Sequence, residues 1–201
     1  MKTILLALLI IASAGVSAQS KKLTRHEMDS LIKEGSMKIA YPPSYRHLLG
    51  KAYPAFSLKT LDGTRITEKD LIGKVTWINL WFLRCAPCMA EMDVLDTLYT
   101  QLKDQPGFNF LSVTYDSPGQ ARSIIKQYHL SYPVSCVSIE ESTRLILGSG
   151  YPANIIIDQN GNIAYFKVGG RIDKPDVFED LQAPFNKVKE LLSSPAPQSA
   201  D

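Results

Sequence analysis

Cysteine and histidine are scarce in this chain, at three each among 201 residues. Three cysteines are too few to staple a secreted scaffold, and a chain of this length buries enough apolar surface to fold without staples. A close cysteine pair is therefore read as redox chemistry first. The histidines, His26, His47 and His129, stand singly, so no Cys/His group has the paired spacing of a zinc site. Charge of one sign is also missing. The 22 basic and 20 acidic residues leave a formal net charge of +2, which offers little to a nucleic acid or a strongly anionic surface. There is no internal repeat, and apart from the N-terminus no apolar run could span a membrane. The remaining composition, 45% hydrophobic and 21% charged, is that of one globular domain with a sizeable core.

The exceptional N-terminal run extends from Ile4 to about Val16, behind Lys2 and ahead of Val16-Ser17-Ala18. A basic start, an apolar middle and small terminal residues are the parts of a secretory signal peptide. The run falls short of the ~18 to 20 residues of a membrane-spanning helix. Cleavage is expected after Ala18, and no cysteine in the segment could take a lipid, so a soluble, exported mature chain is expected. Residues 19–48 read as an N-terminal extension in which Thr24 and Glu27 have capping-box spacing for a short helix. At the other end, residues 193–201 contain Pro195 and Pro197 without apolar periodicity and are expected to be a disordered tail. The main domain is then 49–192.

Within it, apolar spacing alternates between the two regular periods. Ala55 to Leu58 reads as a short edge strand before an Asp62-Gly63 turn, and Glu68 to Lys74 as one helical turn stopped near Gly73. Val75 to Phe82 is almost continuously apolar, the mark of a strand buried on both faces. Its one strongly polar interior member, Asn79, needs partners there. A helix follows Cys85, with Met89, Met92, Leu95, Leu98, Tyr99 and Leu102 inward. Next come a strand from Phe108 to Tyr115, a helix from Ser117-Pro118 to His129, a strand from Val134 to Val137 and a helix from Glu140 to Leu147. Strands Asn154 to Asp158 and Asn162 to Val168 flank Asn160-Gly161, a hairpin signal. A last helix from Lys174 to Leu192 is expected to bury Val177, Phe178, Leu181, Phe185, Val188 and Leu191. This alternation argues for an α/β domain.

The chemistry centres on Cys85-Ala86-Pro87-Cys88. A helix that starts at this pair turns unpaired N–H groups and the positive end of its dipole toward the first sulfur, which favours the thiolate. Cys85 is therefore read as the attacking thiol. Cys88, one turn further in, is read as the thiol that resolves a mixed disulfide. Arg84 has two readings, a charge that lowers the thiol pKa or a solvated rim residue. Glu91 lies three residues after Cys88 on the same helical face, where it could accept the Cys88 proton, although spacing alone favours a solvated surface Glu. Tyr151-Pro152 is ordinary by itself, and Cys136 reads as a buried apolar residue in a strand.

Taken together, these pieces resemble the TlpA/ResA-like thioredoxin family of exported thiol-disulfide oxidoreductases. The resemblance runs from about Lys51 to Leu192. It is carried by Pro54-Ala55-Phe56-Ser57-Leu58, Leu61-Asp62-Gly63, Leu71-Ile72-Gly73-Lys74, Asn79-Leu80-Trp81-Phe82, Cys85-Ala86-Pro87-Cys88 with Glu91, Gly150-Tyr151-Pro152, and Ile156-Ile157-Asp158 with Gly161. It implies a thioredoxin fold with a central mixed sheet flanked by helices, a cis bond before Pro152 facing the dithiol, and Glu91 as the acid near the buried thiol. The Tyr151 backbone and Pro152 are then expected to hold an extended substrate segment beside Cys85, with Gly169 and Gly170 near the same surface. Two departures stand out. Arg84 occupies the place where the family usually has Trp, which changes the surface a partner meets, and Asp93 occupies one that is often Pro.

The function expected from this resemblance is extracytoplasmic, most simply periplasmic, reduction of disulfides in exported proteins, with apocytochrome c among the candidate clients. Electrons would come from a membrane thiol donor, and no cofactor or metal beyond the Cys85–Cys88 pair is implied. Two alternatives belong to other classes. A redoxin-type thiol peroxidase would keep its activity without Cys88, and a thiol metallochaperone would hold copper through the thiols and one of the histidines.

Overall fold

The computed structural model describes residues 45–194. The expected signal segment, the extension up to residue 44 and tail residues 195–201 lie outside the described residues. Seven strands and four α-helices follow in order: β1 (Ser57–Lys59), β2 (Arg65–Thr67), β3 (Val75–Trp81), α1 (Ala86–Leu102), β4 (Phe108–Thr114), α2 (Pro118–Tyr128), β5 (Val134–Cys136), α3 (Ile139–Leu145), β6 (Ala153–Ile157), β7 (Ile163–Val168) and α4 (Lys174–Ser193). Tyr45–Leu48 and Glu68–Leu71 are single 3-10 turns.

Five strands form one sheet in the order β5-β4-β3-β6-β7. β3 pairs parallel with β4 and antiparallel with β6, so the sheet is mixed about a central β3 whose seven residues are all buried. β1 and β2 form a separate antiparallel hairpin. This is the α/β domain that the element order argued for, in the thioredoxin-like arrangement that the family resemblance implied.

Alternation along the buried strands divides the core in two. Ile78, Leu80, Leu111, Val113, Ile155 and Ile157 pack with Leu58, Ile66 and Leu71 of the hairpin region and with Leu145 and Ile146. Trp77, Trp81, Phe110 and Ile156 pack on the other side with Met92, Leu95 and Leu98 of α1 and Val177, Leu181 and Val188 of α4. The second face carries the cysteines.

Local chemistry explains the helix ends. Ser117 caps α2 in a capping box with Gln120, Pro118 occupies its first turn, and His129 ends it in the left-handed conformation. Three burial expectations need correction. Leu191, near the C-terminal end of α4, is half-buried rather than buried. Phe178 is 49% exposed, because it lies off the stripe of Val177, Leu181 and Val188, about 60 to 100° around α4 from each of them. Cys136 is half-buried rather than buried, because it ends a three-residue strand at the sheet edge.

Candidate active site

β3 delivers the chain to the cysteines through Phe82, Leu83 and Arg84. Asp116, just beyond β4, fixes that loop, its carboxylate accepting from the Leu83 N–H at 2.6 Å and the Thr114 hydroxyl at 2.7 Å. Cys85 is the N-cap of α1, and its sulfur accepts the Cys88 N–H at 3.2 Å. Pro87 occupies the first turn of α1, where a missing N–H costs nothing. Cys85 and Cys88 are joined in a disulfide, and they are 6% and 1% exposed. Arg84 stands exposed beside them.

Glu91, one turn beyond Cys88, is 1% exposed and points into the core rather than to solvent. Its partner is Asn154 at the start of β6, whose amide N–H donates to Glu91 Oε2 at 3.1 Å. The amide orientation follows from its other contacts. Trp77 Nε1–H can only donate, and it meets Asn154 Oδ1 at 3.0 Å, while Asn79 Nδ2 donates to the same oxygen at 3.2 Å. The amide nitrogen must therefore face Glu91. Asn79, flagged in the sequence as needing partners, finds one here.

Glu91 Oε1 has no hydrogen-bond partner among the described residues. Burial pushes the carboxyl up from its ordinary 4.5 to about 7, while the Asn154 hydrogen bond and the Lys167 charge pull it down and Asp180 pushes it up. A carboxyl poised near neutrality can take a proton from a thiol and release it again.

The Tyr151–Pro152 peptide is cis, and Pro152 is buried. Its carbonyl accepts the Gly169 N–H at 2.8 Å. Gly170 brings Pro152 and Glu91 together: a Cβ built on it would lie 2.9 Å from Glu91 Oε1 and 3.2 Å from Pro152 Cγ. Tyr151 joins a ring cluster with Phe82 and Tyr115, at centroid distances of 5.2 and 5.8 Å. Its hydroxyl shares a 2.7 Å hydrogen bond with Ser142. Of the candidate residues, Cys85, Cys88, Glu91, Tyr151 and Pro152 thus belong to one buried or half-buried locality, and Arg84 stands on its exposed side.

Sequence reasoning missed Asn154, Lys167, Asp180 and Asp116. A polar residue leading the run Asn154-Ile155-Ile156-Ile157 was a legible signal for the first, of the same kind as Asn79. The other three had none. His129 caps a helix and His47 lies in the first 3-10 turn, while His26 is outside the described residues. No group of three potential metal ligands occurs among the described residues.

Fold and site together define a class, thioredoxin-fold proteins with a redox cysteine pair at a strand-to-helix junction. Comparison with known proteins narrows it. A family model described as Redoxin matches residues 48–181. The thiol-disulfide oxidoreductase ResA of Bacillus cereus is 32% identical over 126 residues, which cover 60% of this chain and 70% of that protein. The thiol:disulfide interchange protein DsbE of Pseudomonas aeruginosa is 32% identical over 152 residues, covering 74% of this chain and 79% of the other. Among solved structures, a thioredoxin-family thiol:disulfide interchange protein from Chlorobium tepidum superposes with a TM-score of 0.56 at 25% identity, over 77% of this chain and 99% of that one. The chain belongs to the redoxin family as a TlpA/ResA-like member and is a thiol-disulfide oxidoreductase.

Proposed function

We propose that this protein acts outside the cytoplasm as a reductase of disulfides in exported proteins, with Cys85 as the attacking thiol, Cys88 as the resolving thiol and Glu91 as the group that takes the Cys88 proton. The observation that carries the reading is the buried Glu91 carboxyl, held by Asn154 one turn beyond a cysteine pair that caps α1. Helix start, dipole and the Cys88 N–H stabilise a thiolate at Cys85. The more buried Cys88 needs an internal proton acceptor before it can attack.

Export is supported by the N-terminal sequence, and among the described residues no helix is long and apolar enough to cross a membrane. The regenerating electrons are assigned to a membrane thiol donor and the clients to exported cysteine proteins, apocytochrome c among them. The Pro152 loop with the Tyr151 backbone is the assigned seat for the client segment, and Arg84 the exposed residue that client meets.

The test combines potential and trapping. A reduction potential for the Cys85–Cys88 pair of about −270 mV supports a reductase, and one of about −120 mV would make the protein an oxidant instead. Cys85→Ser should reduce insulin disulfide cleavage to background, and Cys88→Ser should accumulate mixed disulfides with exported proteins. Peroxide consumption retained by Cys88→Ser would replace this reading with a thiol peroxidase.

A further inference from the structure

Lys167 and Asp180 lie outside every sequence motif, yet the two are in contact and the charges of both act on the buried Glu91 carboxyl. In the β6–β7 register Lys167 stands directly opposite Asn154, and directly opposed residues on paired strands project from the same face. Asn154 reaches Glu91 from that face, so the Lys167 stem leaves the sheet on the side of Glu91, beneath α4. Its ammonium nitrogen is buried and 2.9 Å from Asp180 Oδ2 of α4, but the contact is not aligned as a hydrogen bond.

A buried ammonium with poorly directed partners adds little to stability, because its desolvation offsets the attraction. Its placement beside a second buried ionisable group calls for another account. The remaining polar and charged groups around Glu91 differ in kind. Cys88 shares its helix, Asn154 is neutral, Tyr132 is buried with its hydroxyl on Met92 Sδ, and Asp93 is paired with Lys174 at the protein surface. Among the described residues, Lys167 and Asp180 bring charges of both signs, from β7 and α4.

We propose that Lys167 and Asp180 are positioning residues for the proton step at Glu91, with Lys167 favouring the carboxylate that begins the step and Asp180 the carboxylic acid that ends it. This rests on the reading of Glu91 as proton acceptor. When Cys88 resolves a mixed disulfide, its S–H proton passes to the Glu91 carboxylate. The Cys88 sulfur then bonds to Cys85 Sγ while the bond from Cys85 to the client sulfur breaks. The electron pair leaves with the client sulfur, which is protonated from water, and Glu91 returns its proton to solvent in the next cycle. The client disulfide ends reduced and the Cys85–Cys88 pair oxidised. Opposite charges on two sides hold the carboxyl where both directions of transfer are accessible, in accord with the opposing influences of Lys167 and Asp180 on its proton affinity.

The experiment is a titration of the Glu91 carboxyl carbon by NMR in reduced protein labelled with 13C-glutamate, the signal being assigned by its loss in Glu91→Gln. Lys167→Met keeps the apolar stem and should move the midpoint up, and Asp180→Asn should move it down, each by about 0.5 to 1 in pH. Lys167→Arg should restore the wild-type midpoint, and the pH profile of mixed-disulfide resolution should follow the same signs. General disruption of the packing would move both variants in one direction. Shifts of like sign, or no shift in either variant, would overturn the role of the pair. If Glu91→Gln leaves the pH profile of resolution unchanged, the acceptor reading falls and this proposal with it. If that profile changes while the opposite shifts are missing, only the role of Lys167 and Asp180 falls.

Discussion

The two faces of the central sheet use the same strands for different ends. One face, with Ile78, Leu80, Leu111, Val113, Ile155 and Ile157, is mainly aliphatic; Phe166 adds a ring there, and its buried polar groups are two small hydroxyls, Thr76 opposite Ile157 and Ser135 opposite Val113. The other interrupts its apolar packing with Asn79, Asn154, Ser112 and the Glu91 carboxyl, all 0% or 1% exposed. Each polar group there costs desolvation that hydrogen bonds only partly return. Trp77 and Trp81 make the compensation legible, each indole N–H reaching a polar side chain, Asn154 Oδ1 at 3.0 Å and Ser112 Oγ at 2.7 Å. One side of β3 carries only a small hydroxyl, that of Thr76, among its aliphatic residues, and the other spends part of the stability of burial to hold a proton-active group beneath a disulfide.

The sharpest way to break this comparison is to damage each face separately. Leu80→Ala empties space on the aliphatic face and should cost up to about 5 kcal/mol in denaturant unfolding, with the rate of disulfide exchange per folded molecule unchanged. Asn154→Ala strands the Trp77 N–H and frees Glu91 Oε2, for a smaller loss of ~1 to 3 kcal/mol. It should also move the pH profile of resolution upward, since a donor that favours the carboxylate is gone. Equal kinetic effects from both variants would mean that the two faces do not divide the work.

Much of this organisation could be read before the fold was known. The almost continuously apolar run of β3, the caps of α2, the Asn160-Gly161 turn and the cysteine pair are local signals, written within a few residues of where they act. The Glu91 site is not local. Asn79 and Asn154 are 75 residues apart, and Asn154 and Glu91 are 63 apart, so their meeting depends on which strands pair and in what register. Lys167 shows the same limit, because its position opposite Asn154 is set by a hairpin whose register shifts at Ile156/Ile157. Phe178 failed for a smaller reason. Two adjacent apolar residues, Val177 and Phe178, cannot both point into one helical stripe, and size does not decide which one does.

A second test sharpens the comparison through pH. In the folded protein Glu91 keeps its proton up to about 7, whereas in the unfolded chain it ionises near 4.5. Between these values the native state binds more protons than the unfolded state, so this group's stabilisation is full below pH 4.5 and is lost as pH rises toward 7. The difference amounts to about 3 kcal/mol. It should be measured on the oxidised protein, where neither site cysteine titrates, by unfolding wild type and Glu91→Gln side by side from pH 4 to 8. The wild type should lose stability relative to the variant across that window. Parallel curves would show that the carboxyl is as well solvated in the native state as in the unfolded chain.

The smallest expected effect separates contact from backbone at two neighbouring glycines. Gly169 has φ +79°, so Gly169→Ala strains the backbone while its new methyl meets nothing within 4 Å. Gly170 carries no such positive φ, but a Cβ there would press on Glu91 Oε1 and Pro152 Cγ. Each substitution should cost about 1 kcal/mol, the first by strain and the second by overpacking. They should differ in chemistry. Gly170→Ala pushes on the carboxylate end, which is freer to move than the proline ring, and so should displace the pH midpoint of resolution, whereas Gly169→Ala should leave that midpoint in place. Stopped-flow resolution rates on both variants from pH 5 to 9 provide the comparison. An equal displacement in the two would mean that the loop as a whole, rather than the contact at Gly170, seats Glu91 against the cis-proline.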